Sequence, residues 1–383
     1  MINSLFLVLL VYMTANVISF QLQRTFKNVV VSHSLRAPSH SKSSSSIGRC
    51  RLIMRGTVPS EQSSTMSIAV TASNDGGGLK QKLKVGGLFG LWYALNVGYN
   101  IYNKKVLNLV PGLTYTIAFL QLFLGLVYVA GLWGSGARKA PVLNNAEVKT
   151  LMPVALLHCL THLGAIVSLG AGAVSFTHIV KAAEPAVSAG LSAVILKQFL
   201  PLPVALTLIP VMGGVAIASL TELSFSWLAF SGAMISNFAS AGRGIVGKMQ
   251  MGKSVGKNMD AANLYAVMTI ISSAFCLPLA LLLEGKNLQP ILTAIEAAGL
   301  SKTLYTQTLL SAVFYYLYNE VAFLTLDNVA PVTHALGNTI KRVVIILASV
   351  VWLGSNMTTQ GAFGSTLAIG GVLLYSLAKN KFK

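Results

Sequence analysis

Lys181, Arg243, Lys341 and Arg342 each lie inside a long apolar stretch of the chain. A charge at the centre of a membrane helix costs roughly 2.5–3.5 kcal/mol, so four cost on the order of 10–14 kcal/mol. A chain keeps such a set only for a use. The simplest is to hold a small, multiply charged anion midway through a bilayer. Lys341 and Arg342 are adjacent, so on a helix their side chains diverge by about 100°. A guanidinium fork beside an ammonium suits a phosphate, through bidentate hydrogen bonds and a point charge. The competing reading, snorkelling to the surface, is opposed by about ten residues of helix on either side.

Lys181 stands four residues before Pro185, whose ring lacks an N–H and clashes with the preceding turn. The Lys181 carbonyl therefore loses its helical partner, and a kink is expected there. Glu184 follows Lys181 by three residues, close enough to neutralise it when the site is empty, or to form a purely structural ion pair with it. Arg243 falls about five residues from the end of its segment, so it either reaches the substrate's non-phosphate end or snorkels. Tyr315, Tyr316, Tyr318, Asn319 and Glu320 make another segment polar at its centre. One tyrosine hydroxyl and Asn319 are assigned to the cavity, Glu320 to balancing a cation, and Tyr315 and Tyr316 to packing.

His158 and His162 are four residues apart, but no nearby acid or second cysteine completes a metal site. His162 alone is read as a donor to substrate. The Gly170–Gly172 pair follows no strand and is not a dinucleotide fingerprint. Neither a cofactor nor a metal is expected, and no nucleophile–base pair points to an enzyme.

The elements that hold these residues must be membrane helices. The chain is 54% hydrophobic and 10% charged, against about 25% charged in soluble domains. Its +18 net charge is spread over short loops and the N-terminal region, with no basic patch interleaved with aromatics, so nucleic acid is not the expected partner. Three distant cysteines define no disulfide framework.

Residues 1–19 read as a signal peptide, with a short apolar run at Leu5–Met13. Residues 20–78 read as a disordered plastid transit region, basic and serine-rich, with no acid before Glu61. The two together resemble the bipartite leaders of algal plastids bounded by extra membranes; an N-terminal anchor helix with a tail is the other reading. Ten spanning segments follow, near 87–107, 112–133, 148–169, 173–196, 202–220, 225–247, 262–283, 303–326, 331–353 and 358–378. From Lys80 onward, 13 cations fall on the side of the N-terminus and 4 on the other, which places both termini in the stroma. An odd number of segments would scramble that split.

Val174-Ser175-Phe176-Thr177-His178 opens the fourth segment, and Ala330-Pro331-Val332-Thr333-His334 the ninth. Five segments separate them, so they cross in opposite directions, as in an inverted repeat with halves 85–221 and 222–380. Helical rise puts Lys181 roughly 11 Å below one face and Lys341 roughly 15 Å below the other, so both converge near the midplane. The predicted fold is an all-α membrane protein of ten transmembrane helices in two inverted five-helix repeats.

The stretches Val174–Pro185, Phe314–Asn319 and Thr333–Arg342 closely resemble the plastidic phosphate translocators of the drug/metabolite transporter superfamily. The resemblance runs over roughly 85–380. It implies that Lys181, Lys341 and Arg342 bind phosphate, and that His162, Arg243 and Tyr318 read the rest of the substrate. His162 and the THALGN form of the second motif are most similar to the triose-phosphate branch. Ala165 and Glu320 depart from it, where a hydroxyl residue and a glutamine are usual. The implied activity is antiport of inorganic phosphate against triose phosphate or 3-phosphoglycerate across a plastid envelope, by alternating access. A sibling carrier for phosphoenolpyruvate or C5/C6 sugar phosphates is the nearest alternative, and an anion channel a further one.

Overall fold

The computed structural model of the protein describes residues 79–223, 225–250, 256–354 and 357–382. The signal and transit segments expected over residues 1–78 lie outside these residues, as do Lys253 and Lys383 of the charge count.

Helix α1 runs Leu79–Leu109, α2 Thr114–Gly134 and α3 Asn145–Ala171. Next come α4 Val174–Val180, a 3₁₀ turn Lys181–Ala183 and α5 Glu184–Ile195, then α6 Leu202–Leu206 and α7 Leu208–Leu220. The remaining helices are α8 Trp227–Gln250, α9 Ala261–Ala297, α10 Ser301–Asn328, α11 Pro331–Leu353 and α12 Thr359–Lys381. Among the described residues no strand forms beyond an isolated bridge between Val142 and Lys257. The all-α expectation holds.

The helix ends follow from local chemistry. Asn144 and Glu147 form a reciprocal capping box at the start of α3: each side chain accepts from the other's backbone N–H, at 2.8 and 2.7 Å. Asp260 and Thr358 cap α9 and α12 by accepting from Asn263 and Gly361 N–H groups. The first turn of α2 is capped from another helix, because Glu284 of α9 accepts from Tyr115 and Thr116 N–H at 2.9 and 2.7 Å. Helix α11 opens on Pro331 and closes on Gly354, whose left-handed φ of +61° favours a residue without Cβ.

Among the described residues, seven helical stretches are long and apolar enough to cross a membrane, Leu202–Leu220 counted as one. The other three expected spans also form helices, but each is interrupted or polar inside. Helix α1 turns Asn96, Asn100 and Asn103 inward, the α4–α5 path breaks at Lys181, and α8 carries Asn237 and Arg243. Two boundaries differ from expectation. Segment 202–220 is split at Thr207 into α6 and α7, and α9 extends to Ala297 through Pro278 and Pro290. On the outside, apolar side chains such as Leu220 and Leu282 are 87% and 80% exposed, as a lipid-facing surface requires.

The bundle is built from four helix pairs: α1 with α10, α3 with α8, α2 with α9, and α7 with α12. Two of them cross through small residues. A Cβ on Gly164 would lie 2.7 Å from the Gly232 carbonyl, and one on Gly232 would lie 2.8 Å from the Gly164 carbonyl. Ser168 and Ser236 complete this crossing four residues further along each helix. Gly214 and Ala218 of α7 meet Gly364 and Ala368 of α12 in the same manner.

Candidate anion-binding site

The expected break is present, and it sets up the site. The Lys181 carbonyl accepts the Glu184 N–H in a 3₁₀ turn, and Pro185 stands in the first turn of the next helix. Two short helices thus replace one continuous rod and let Lys181 and Glu184 turn toward α8 and α11. The Lys181 ammonium donates to Ser236 Oγ at 2.5 Å, and that hydroxyl donates to the Thr161 carbonyl at 2.7 Å. Ser236 is therefore both a packing residue at the α3–α8 crossing and the seat of the lysine.

Glu184 has a different partner from the one its spacing implies. Its Oε2 accepts from Arg342 Nη2 at 2.9 Å, while its Oε1 accepts from the Ser240 hydroxyl at 2.5 Å. The carboxylate lies within electrostatic reach of Lys181, but its hydrogen bonds go across the bundle. Arg342 is buried, at 6% exposure. Its neighbour Lys341 lies with its ammonium 4.8 Å from the centre of the Trp92 ring, which also stacks on His334. Adjacent residues thus turn to different supports, as the helical angle requires.

Arg243 does not snorkel. Its Nη1 donates to His158 Nδ1 at 2.8 Å. His162, one turn further along α3, packs its ring 4.1 Å from that of Tyr315 and lies 3.3 Å from the Ala118 carbonyl. Tyr318 packs against Tyr99 and Tyr315 and is an electrostatic neighbour of Arg243. Asn319, expected in the cavity, donates to the Tyr315 carbonyl of its own helix. Tyr316 packs against Tyr265 and Tyr128, as expected of a packing residue.

Lys181 and Lys341 each have Arg342 and Glu184 as electrostatic neighbours as well as each other, and Arg243 adds to the field at Lys181. The four cations and Glu184 therefore share one neighbourhood, in which Arg342 is buried and the others are half-buried. Glu320 does not join it. Two positions beyond Tyr318, it lies about 200° around α10 and pairs with Arg138 of the α2–α3 loop. The sequence expectation that Glu320 balances a cation holds only in this sense: the cation is a loop residue outside the cluster.

Sequence reasoning passed over Trp92, His158, Ser236 and Ser240. The signal for Ser236 was its place four residues after Gly232, a small-residue spacing. For α1 it was the row Asn96, Asn100, Asn103, whose Asn100 Oδ1 sits 2.9 Å from His178 Nε2. A cavity of about 360 Å³ lies elsewhere, lined by Lys104, Asn108, Gly170 to Val174 and Leu353. Lys104 donates there to the Leu169 and Gly172 carbonyls, both at 2.8 Å, and satisfies the end of α3.

Long apolar helices, crossings made of glycine and serine, and charge drawn inward define an all-α integral membrane protein. The chain belongs to the Triose-phosphate Transporter family, whose model matches residues 83–376. It is 44% identical over 306 residues to the chloroplastic triose phosphate/phosphate translocator of Solanum tuberosum, covering 79% of this chain and 72% of that one. To the counterpart from Spinacia oleracea it is 43% identical over 303 residues, covering 79% and 73%. The chloroplastic phosphoenolpyruvate/phosphate translocator 1 of Oryza sativa subsp. japonica is 40% identical over 309 residues, covering 80% and 74%.

Proposed function

We propose that this protein exchanges inorganic phosphate for triose phosphate or 3-phosphoglycerate across a plastid envelope membrane. Family membership and the relatives' names support the reaction class. The observation that carries the reading is the meeting of Lys181, from the first half of the chain, with Lys341 and Arg342, from the second, around Glu184.

The chemistry of exchange follows from charge. Four cations against one carboxylate leave three positive charges uncompensated inside the helix bundle. Enclosing that excess in a dry, closed state is costly. A phosphate or phosphate ester of about two negative charges offsets most of it, so the loaded protein changes face and the empty one does not. Lys181, Lys341 and Arg342 hold the phosphate. His162, Arg243 and Tyr318 face the three-carbon end. Glu184 balances charge when the site is empty.

Alternating access is supported by the helix pairing. Exchanging the two halves turns the α1–α10 pair into α8–α3, and maps α2–α9 and α7–α12 onto themselves. That pairing supports two inverted five-helix repeats, 85–221 and 222–380, with ten crossings, and the loop charges support termini in the stroma. The leader composition favours a plastid with additional envelope membranes.

A second reading, a carrier for phosphoenolpyruvate, is favoured by the 40% identity to the rice protein. Both are tested by purifying the protein, loading liposomes with phosphate, and measuring counter-exchange against phosphorylated C3, C5 and C6 compounds. Triose phosphate and 3-phosphoglycerate are expected to exchange fastest, and Lys181→Ala, Lys341→Ala or Arg342→Ala each to abolish exchange. Normal phosphate counter-exchange by any of the three variants overturns the site, uptake without internal phosphate overturns obligate antiport, and preference for phosphoenolpyruvate overturns the substrate.

A further inference from the structure

The two arginines of the cluster are held in chemically different ways. Arg342 is paired to a carboxylate, Glu184, at 2.9 Å. Arg243 is held at 2.8 Å by a neutral acceptor, the Nδ1 of His158. Among the described residues the ion pairs are Arg138–Glu320 and Arg342–Glu184, and neither includes Arg243. A guanidinium only donates, so Nδ1 must carry the lone pair and the ring must be uncharged with its proton on Nε2. That Nε2 is buried and has no hydrogen-bond partner. His158 itself is 4% exposed and meets the Tyr265 ring edge-on, so packing fixes its plane.

We propose that His158 is a positioning residue that aims Arg243 at the organic end of the substrate while leaving its charge undiminished. The inference rests on the reading that Arg243 contacts the three-carbon end. A carboxylate in the place of His158 would fix the same direction but neutralise the arginine and compete with the carboxylate of 3-phosphoglycerate. A neutral imidazole does the first without the second. His158 and His162 then form one device on a single face of α3, the first orienting a cation and the second lining the site. A carrier using the phosphate cluster alone would not distinguish inorganic phosphate from its esters. A fixed, fully charged arginine supplies that difference.

The test is counter-exchange in liposomes, read as the ratio of KM for 3-phosphoglycerate to KM for phosphate. His158→Asn sets an uncharged acceptor oxygen near the Nδ1 position, and its ratio is expected within about twofold of the wild type. His158→Asp has the same shape but adds a charge; its ratio is expected to rise about tenfold, the usual scale for a charge-assisted contact. His158→Phe removes the acceptor and is expected to raise the ratio similarly, with no additional rise when combined with Arg243→Ala. Equal ratios in His158→Asn and His158→Asp overturn the proposal, even if His158→Phe does not fold. So does a ratio that rises in His158→Asn. Arg243→Ala alone separates the two levels. If it leaves the ratio at the wild-type value, the reading of Arg243 fails; if it raises the ratio and His158→Asp does not, only the role of His158 fails.

Discussion

Glu184→Gln isolates the part played by the built-in carboxylate. Glu184 accepts from Arg342 at 2.9 Å and holds the Ser240 hydroxyl at 2.5 Å. At that separation the gross attraction is about 6 kcal/mol for an effective dielectric of 20. After desolvation a charge-assisted hydrogen bond retains about 1.5–3 kcal/mol. Glutamine keeps the shape and a carbonyl for Ser240, but it removes the anion that competes with phosphate for Arg342. Two effects follow with opposite signs. Without phosphate, the variant loses about 3–5 kcal/mol of stability, because a buried arginine is left uncompensated. With phosphate, binding tightens by about tenfold or more, the lower end of the range above. At a concentration one hundred times the wild-type Kd, phosphate stabilises the wild type by about 2.7 kcal/mol. A tenfold tighter variant gains about 1.4 kcal/mol more, and it releases phosphate and exchanges more slowly. Thermal unfolding in detergent with and without phosphate, paired with exchange rates in liposomes, reads both. A smaller phosphate-induced shift in Glu184→Gln, or exchange at the wild-type rate, would refute the competing-anion argument.

Three further outcomes are expected. His162→Ala should weaken 3-phosphoglycerate exchange more than phosphate exchange; equal losses in the same liposome assay would remove its role in specificity. Gly164→Val should prevent the α3–α8 crossing, because its Cβ alone would sit 2.7 Å from a backbone carbonyl. The loss should exceed the usual 1–3 kcal/mol for overpacking, roughly, since backbone must move, and a melting temperature like the wild type's would contradict the close approach. Arg138→Met should destabilise by about 3 kcal/mol by orphaning the buried Glu320, whereas Arg138→Met with Glu320→Leu should recover most of it. Additive losses in thermal unfolding would show that the two residues act separately.

The parts of the molecule readable from sequence were those carried by one helix at a time. Lys181, Lys341 and Arg342 announced themselves as charges in apolar runs, and Pro185 announced the break beside Lys181. Spacing along one helix also named Glu184 and its charge partner Lys181, but not the hydrogen bonds it makes across the bundle. The 3₁₀ turn and the approach of α11 hand Glu184 to Arg342, a residue more than 150 positions away. His158 shows no role in the sequence, because its partner Arg243 lies on another helix. Trp92 was invisible for the same reason. An aromatic in an apolar segment is ordinary until an ammonium and an imidazole are found on its faces. Glu320 shows the reverse, since its sequence neighbours Tyr318 and Asn319 implied the site while its angular position around α10 sends it to the α2–α3 loop.

Ser236 sits where two helices touch backbone to backbone, and it is also the residue that grips Lys181. With only glycine and serine at the crossing, there is little side chain to absorb slack, and the contact would work like a gear tooth. A roll or tilt of α8 against α3 would carry the ammonium along through that hydrogen bond. Capturing the cargo and swinging the protein from one face to the other would then be a single mechanical stroke, and slippage between them would need Ser236 to let go.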